Sequence, residues 1–158
     1  LHMYAFQNLI RFNSEFCFNT PIGIAGYSED IRKRIELFIS RTPKIIFRNT
    51  SFKELLNMDF TPDTVFYFDP PYYISTAGYN DGKRGFEGWN LELEEQLLQV
   101  LLELHNRGFK FLLSNVIEHK GKKHQILIDW CNHNKFKIYP VGVSGWRYKK
   151  NEIIIKNY

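Results

Sequence analysis

Cysteine, long apolar runs and low-complexity linkers are all scarce in this chain. Its two cysteines, Cys17 and Cys131, lie far apart without CxxC spacing. That argues against a disulfide scaffold or a zinc ribbon and fits a reducing cytoplasm. No run approaches the roughly 18 apolar residues of a membrane span. The opening Leu1-His2-Met3-Tyr4 shows no basic run followed by an apolar one, so neither a membrane protein nor a secretory leader is expected. The five histidines (His2, His105, His119, His124 and His133) have no convincing metal-ligand spacing; they are expected at the surface, and no metal is expected. Internal repeats are absent as well.

What is present is one domain's worth of chain, 158 residues of which 44% are hydrophobic, enough to bury a core. Aromatic residues are abundant, with 14 Phe and 9 Tyr. The net charge of +4 suits a polyanionic partner without establishing one.

Residues 1–27, rich in Phe, Asn and Gly, lack periodicity and read as short strands or an irregular segment. Ser28-Glu29-Asp30 offers an N-cap and two first-turn acids, and Ile31, Ile35, Phe38 and Ile39 follow at helical spacing, which predicts a helix over about 29–40. Lys44-Ile45-Ile46-Phe47 reads as a short strand, and Ser51-Phe52-Lys53-Glu54 has a capping-box pattern. Val65-Phe66-Tyr67-Phe68 is an uninterrupted apolar run, the pattern of a strand buried on both faces. Asn90 caps a helix carrying Leu93, Leu97, Leu101 and Leu104 on one stripe and acids at its positive end, and Gly108 stands where it should stop. Phe109-Lys110-Phe111-Leu112-Leu113 is the next strand, ending in Ser114-Asn115. A helix over about 122–133 and strands over about 136–143 and 151–157 complete an α/β layout. In such sheets ligands sit beyond the carboxyl ends of strands, where Asp69 and Asn115 are expected.

The chemistry concentrates in Asp69-Pro70-Pro71-Tyr72. Two prolines hold the backbone extended and remove two N–H donors, which leaves carbonyls free to accept. A carboxylate and a carbonyl at a strand end can together accept both hydrogens of an amino group, orienting its lone pair toward an electrophile. Tyr72 adds a flat face for a base, worth about 1–3 kcal/mol in nucleic-acid sites. The competing account is a turn that ends a strand, since Asp-Pro and Pro-Pro are common turn dipeptides. Lys83, Arg84, Arg147, Lys149 and Lys150 lie in two polar loops with Phe86, Trp146 and Tyr148; they suit phosphate neutralisation, with a solvated loop as the alternative.

With these segments in order, the chain resembles the DPPY-type adenine methyltransferases, which include Dam-like and restriction-associated enzymes. Arg11-Phe12-Asn13 followed by Phe18-Asn19-Thr20-Pro21-Ile22-Gly23 resembles the family's RxN…FNxPxG segment at the end of the target-recognition region. Phe47 to Leu55 resembles the segment before the catalytic strand, and Tyr79 to Phe86 with Trp89 the loop after it. Leu113-Ser114-Asn115-Val116 and Glu152-Ile153-Ile154-Ile155-Lys156-Asn157-Tyr158 resemble the two strands that follow. The resemblance implies that Asp69 and the Pro70 carbonyl accept from the target amine, that Pro71 belongs to the same catalytic motif, and that Tyr72 stacks on a flipped adenine. The methyl group would come from S-adenosylmethionine, and flipping is needed because the amine is paired within the duplex. Ser51 and Phe52 fall where the family touches the cofactor's adenine, with Asp69 also on the cofactor side. Arg11, Asn13 and Pro21 fall where it approaches double-stranded DNA. Residues 1–27 correspond to the end of the target-recognition region and 28–158 to the C-terminal portion of the catalytic domain. A cytoplasmic setting in a prokaryote or phage follows.

The chain departs from the family in lacking an FxGxG-like loop for the methionine end of the cofactor. Gly23/Gly26 and Gly142/Gly145 are wrongly spaced. The expected fold is therefore a partial, Rossmann-like methyltransferase sheet with a C-terminal β-hairpin, lacking the N-terminal cofactor-loop strands. One flank of Val65–Phe68 should then be unpaired, an edge that invites pairing with a separate N-terminal half or with a second copy. A catalytically inactive DNA-binding remnant is the alternative function, with methylation of RNA or of a protein amide a weaker one.

Overall fold

The computed structural model describes residues 12–13, 15, 17–23, 28–75, 88–144 and 150–158. Arg11, Lys83, Arg84, Arg147 and Lys149 lie outside the described residues, as do Gly26, Gly145 and the loop over residues 79–86. The chain divides into two compact units, one of Leu1–Asn49 with Lys83–Phe86 and one of Thr50–Gly82 with Glu87–Tyr158.

The first unit contains helix α1, Glu29–Arg41. The Ser28 hydroxyl accepts from the Ile31 N–H at 3.3 Å, as the N-cap pattern predicts. Arg32 is paired with Glu29 and Glu36 along one side. The helix buries none of its residues. Residues 45–50 form no strand, contrary to the strand expected over residues 44–47. Their β-branched and aromatic side chains meet no pairing partner there, and Ile45, Ile46 and Phe47 are exposed.

The second unit is built on a sheet. Strand β1 is Val65–Phe68, followed by helix α2, Leu91–Asn106, strand β2, Lys110–His119, and the short β3, Lys122–Lys123. Helix α3, Gln125–Asn134, leads to β4, Lys137–Ser144, and β5, Lys150–Lys156. The strand order is β1-β2-β5-β4, with β3 on β2. β1 and β2 are parallel, in register Phe68 with Leu113. β2–β5 and β4–β5 are antiparallel, so the expected C-terminal hairpin is present. The whole is a mixed α/β half-sheet.

Period-2 alternation places Phe66, Phe68, Phe111, Leu113, Ile153 and Ile155 on the face that meets Leu97, Leu101, Leu104 and Leu127 of the helices. Each such side chain, fully buried, contributes about 1.5–3 kcal/mol. α2 begins at Asn90, whose side chain accepts from the Leu93 N–H at 2.9 Å. It stops at Gly108, whose φ of +85° is the left-handed conformation glycine accepts without strain.

The opposite face differs from expectation. Val65 is 51% and Tyr67 63% exposed, so β1 is covered on one face only. An all-apolar strand calls for a layer on each side, and the described residues supply one. Among them β1 also pairs with β2 alone, which leaves its other edge open, as expected. No helix among the described residues is long and apolar enough to cross a membrane.

Candidate active site at the end of the first strand

Asp69 follows β1 directly, and the parallel register sets Ser114 of β2 beside it, one step past the Phe68–Leu113 pair. Ser114 Oγ donates to Asp69 Oδ1 at 2.8 Å. Tyr72 Oη donates to the same Oδ1 at 3.1 Å and lies 3.0 Å from Ser114 Oγ. Two hydroxyls carry two protons for three contacts. Either both point at the carboxylate, or one hydroxyl donates to the other, which donates to Asp69.

In every arrangement the protein's hydroxyls contact Asp69 at Oδ1, and among the described residues none reaches Oδ2. Asp69 is exposed while Pro70, Pro71 and Tyr72 are half-buried. The Pro70 carbonyl likewise receives no backbone N–H from a described residue. Two consecutive residues thus each keep an acceptor without a donor among the described residues. Burial pushes the Tyr72 phenol above its usual 10.0; the contact with Ser114 opposes that shift, and the charge and hydrogen bond of Asp69 add to it. The phenol therefore stays protonated at neutral pH, able to donate, and its hydroxyl fixes the ring beside the carboxylate.

The next residue of β2 faces the other way. Asn115, expected at a strand end, lies mid-strand and fully buried, because β2 runs on to His119. Its Nδ2 donates to Glu94 Oε1 at 3.2 Å. Glu94, read as an ordinary first-turn acid, is 0% exposed. It also accepts from Trp89 Nε1 on Oε2 at 2.6 Å and lies 2.9 Å from His124 Nε2. His124 is 1% exposed, against the expectation that all the histidines lie at the surface. His133 is exposed, whereas His105 and His119 are half-buried. His124 caps α3 by accepting from the Leu127 N–H on Nδ1 at 3.4 Å. This assigns the proton to Nε2, facing Glu94, and desolvation is tolerated because each group is paired.

The buried network reaches the site through ring contacts. Tyr73 packs on His124 with centroids 5.6 Å apart, and Trp89 packs on Phe52 at 5.8 Å. Phe52 is half-buried in the 3-10 helix Phe52–Asn57, whose N-cap is Ser51. Ser51 Oγ accepts from the Lys53 N–H at 3.3 Å. Sequence reasoning missed Ser114, Glu94 and His124 as parts of one construction; the parallel strand pair was the signal for Ser114.

In the first unit, Asn13 Oδ1 accepts from the backbone N–H groups of Glu15 and Cys17 at 3.0 and 2.9 Å. It thereby closes an Asx-type loop. Pro21 is exposed. Cys17 is exposed and Cys131 buried, both as free thiols. Burial pushes the Cys131 thiol up to about 12, which leaves it inert. No group of His, Cys, Asp and Glu suited to a metal occurs among the described residues.

A half-sheet with an acceptor pair at a parallel strand end, backed by a hydroxyl from the next strand, has the makings of a site that binds an amine. The family model for D12 class N6 adenine-specific DNA methyltransferases matches residues 1–143, and the chain belongs to that family. It is similar to modification methylase LlaI of Lactococcus lactis subsp. lactis, with 47% identity over the whole chain and 25% of the relative. Modification methylase StsI of Streptococcus sanguinis is 40% identical over the whole chain and 26% of the relative. Type II methyltransferase M.FokI of Planomicrobium okeanokoites is 33% identical over 98% of the chain and 25% of the relative. The chain spans about a quarter of the length of these curated relatives.

Proposed function

We propose that this chain forms the amine-binding part of a DNA adenine-N6 methyltransferase. One observation carries the reading: Asp69 meets two protein hydroxyls at Oδ1 and keeps Oδ2, like the carbonyl of the next residue, Pro70, without a donor among the described residues. Adenine's exocyclic amine offers two hydrogens, one for each acceptor. Accepting both draws the nitrogen lone pair out of conjugation with the ring. Tyr72, fixed by its hydroxyl, presents its ring to the flipped base. Arg11, Asn13 and Pro21 are proposed DNA contacts, as are Lys83, Arg84, Arg147 and Lys149. In this reading residues 1–27 close the target-recognition region and 28–158 the catalytic domain.

The family implies S-adenosylmethionine, which supplies an electrophilic methyl group when bound. Ser51 and Phe52 fit one wall of such a site: Phe52 is half-buried, braced by Trp89 on one side, with ring area left for a purine. Asp69 stands where the methyl-donating side must approach the amine. The methionine end needs residues beyond these, and the open edge of β1 together with the exposed Val65 and Tyr67 supports a completing segment that adds a strand there. A segment bearing the glycine loop, in the same polypeptide or separate, is the proposed occupant; a second copy of this chain is the competing outcome.

The test is calorimetric titration with S-adenosylmethionine, for the chain alone and with the preceding segment of a relative, followed by methyl transfer to duplex DNA by wild type and Asp69→Ala. Cofactor binding and Asp69-dependent transfer restored by the second segment are expected. Transfer that survives Asp69→Ala would refute the assignment of the acceptor.

A further inference from the structure

The far end of β2 carries a charge pattern that the amine site does not use. β2 and β3 are joined by Lys120-Gly121, with φ of 51° and 73°, the two left-handed positions of a tight hairpin turn. Asn and Gly are the usual occupants of such positions, and a lysine costs roughly 1–2 kcal/mol there. The register then arranges two cross-strand rows. One runs Lys122–His119–Lys150, and the other Lys123–Glu118–Asn151. Directly opposed residues share a face, and successive residues of a strand alternate, so the rows lie on opposite faces.

The rows differ in kind. In the second, Glu118 stands between Lys123 and Asn151 and accepts from Asn151 Nδ2 at 3.3 Å, so its charges compensate one another. The first row contains no carboxylate. Its two ammonium-bearing strands are two inter-strand spacings apart, about 10 Å, with an imidazole between them. On this row's face a cavity of about 310 Å³ is lined by Ile74, Ser75, His119, Lys120 and Lys122. Ser75 Oγ is buried there without a partner among the described residues, and Ser75 lies three residues past Tyr72. The cavity thus joins the Lys122 and His119 part of the row to the turn that follows the amine clamp.

We infer that the Lys122–His119–Lys150 row, with the Ser75 hydroxyl, binds a backbone phosphate of the DNA strand that carries the target base. Five residues separate Ser114 from His119, about 17 Å of strand, which sets the row outside the base pocket but within reach of a flanking phosphate. The inference rests on the DNA-substrate reading and adds a phosphate site to it, in which Lys150 is shared with the polar loops while Lys122, His119 and Ser75 are not.

The test measures binding of a fluorescent duplex to the full chain by anisotropy, across about 50 to 200 mM salt, for wild type, Lys122→Ala and Lys122→Ala/Lys150→Ala. Lys110→Ala, at the opposite end of β2, removes the same charge as a control. Lys122 is exposed and Lys150, at the start of β5, half-buried, and thermal melts check that the variants fold. Loss of a phosphate contact lowers the slope of log K against log salt by roughly 0.9. A shallower slope in the row variants with Lys110→Ala unchanged is the expected result. Equal slopes in all variants, or no duplex binding by wild type, would overturn the inference. So would calorimetric binding of inorganic phosphate without DNA binding, which would mark a free-anion site. A slope that depends on the row, with no Asp69-dependent methyl transfer, would uphold the phosphate site while refuting the catalytic reading.

Discussion

Two carboxylates of this chain are held by adjacent residues of one strand and differ in how their oxygens are filled. Ser114 of β2 reaches Asp69 on one face, and Asn115 reaches Glu94 on the other. Glu94 is wholly buried, and both its oxygens are filled by Trp89, Asn115 and His124. Asp69 is exposed, and its donors share a single oxygen. A carboxylate with every acceptor filled is structural, because any newcomer must displace a bond already made. One with an oxygen left open is prepared for a ligand.

The largest expected effect falls on the buried member. Glu94→Ala strands the buried donors of Asn115 and His124 and the half-buried Trp89 indole, and is expected to destabilise the fold by about 3–5 kcal/mol, read as a lower midpoint in urea unfolding. Ser114→Ala acts on the other side of the same strand. It removes one hydrogen bond to the carboxylate, about 1.5–3 kcal/mol, and leaves Asp69 held by Tyr72 alone. Methyl transfer by the completed enzyme should fall roughly tenfold or more, with DNA affinity held and Ser114→Thr restoring part of the rate. If Ser114→Ala lowered stability alone, Ser114 would belong with Asn115, and the contrast would break.

A smaller effect sharpens the comparison through Tyr72. Its phenol is raised by burial and by Asp69, so Asp69→Asn should move it back toward 10. The direction follows from sign: a negative neighbour disfavours the phenolate. Because the folded value lies above the unfolded one, this group's contribution to stability is full below pH 10 and is lost as pH rises through the folded value. The tyrosinate absorbance lost on Tyr72→Phe, measured once with Asp69 intact and once in the Asp69→Asn variant, reads the shift.

Much of this was legible in the residues. Asn90 and Gly108 bounded α2 because capping and left-handed glycine are local rules. Asp69-Pro70-Pro71-Tyr72 announced itself because prolines fix the backbone whatever surrounds them. Ser114 and Glu94 were not legible in their roles. A serine in an apolar strand and a glutamate in a first helical turn are ordinary, and only strand register and the packing of α2 on β2 bring them to their partners. His124 misled for the same reason: spacing excluded a metal site but could not show burial against Glu94. Val65 and Tyr67 were read as buried because an all-apolar strand calls for two covering layers. That inference about the sequence stands beside a described chain that supplies one.

The most direct measurement places Asp69→Asn and Glu94→Gln side by side, scoring methyl transfer to duplex DNA by the completed enzyme and unfolding midpoint for each. The account predicts that Asp69→Asn loses roughly 10²- to 10³-fold in rate with its midpoint unchanged, whereas Glu94→Gln shifts the midpoint and keeps most of the rate once folded. Full activity in Asp69→Asn would contradict it, because the open oxygen would then not be the one that receives the amine.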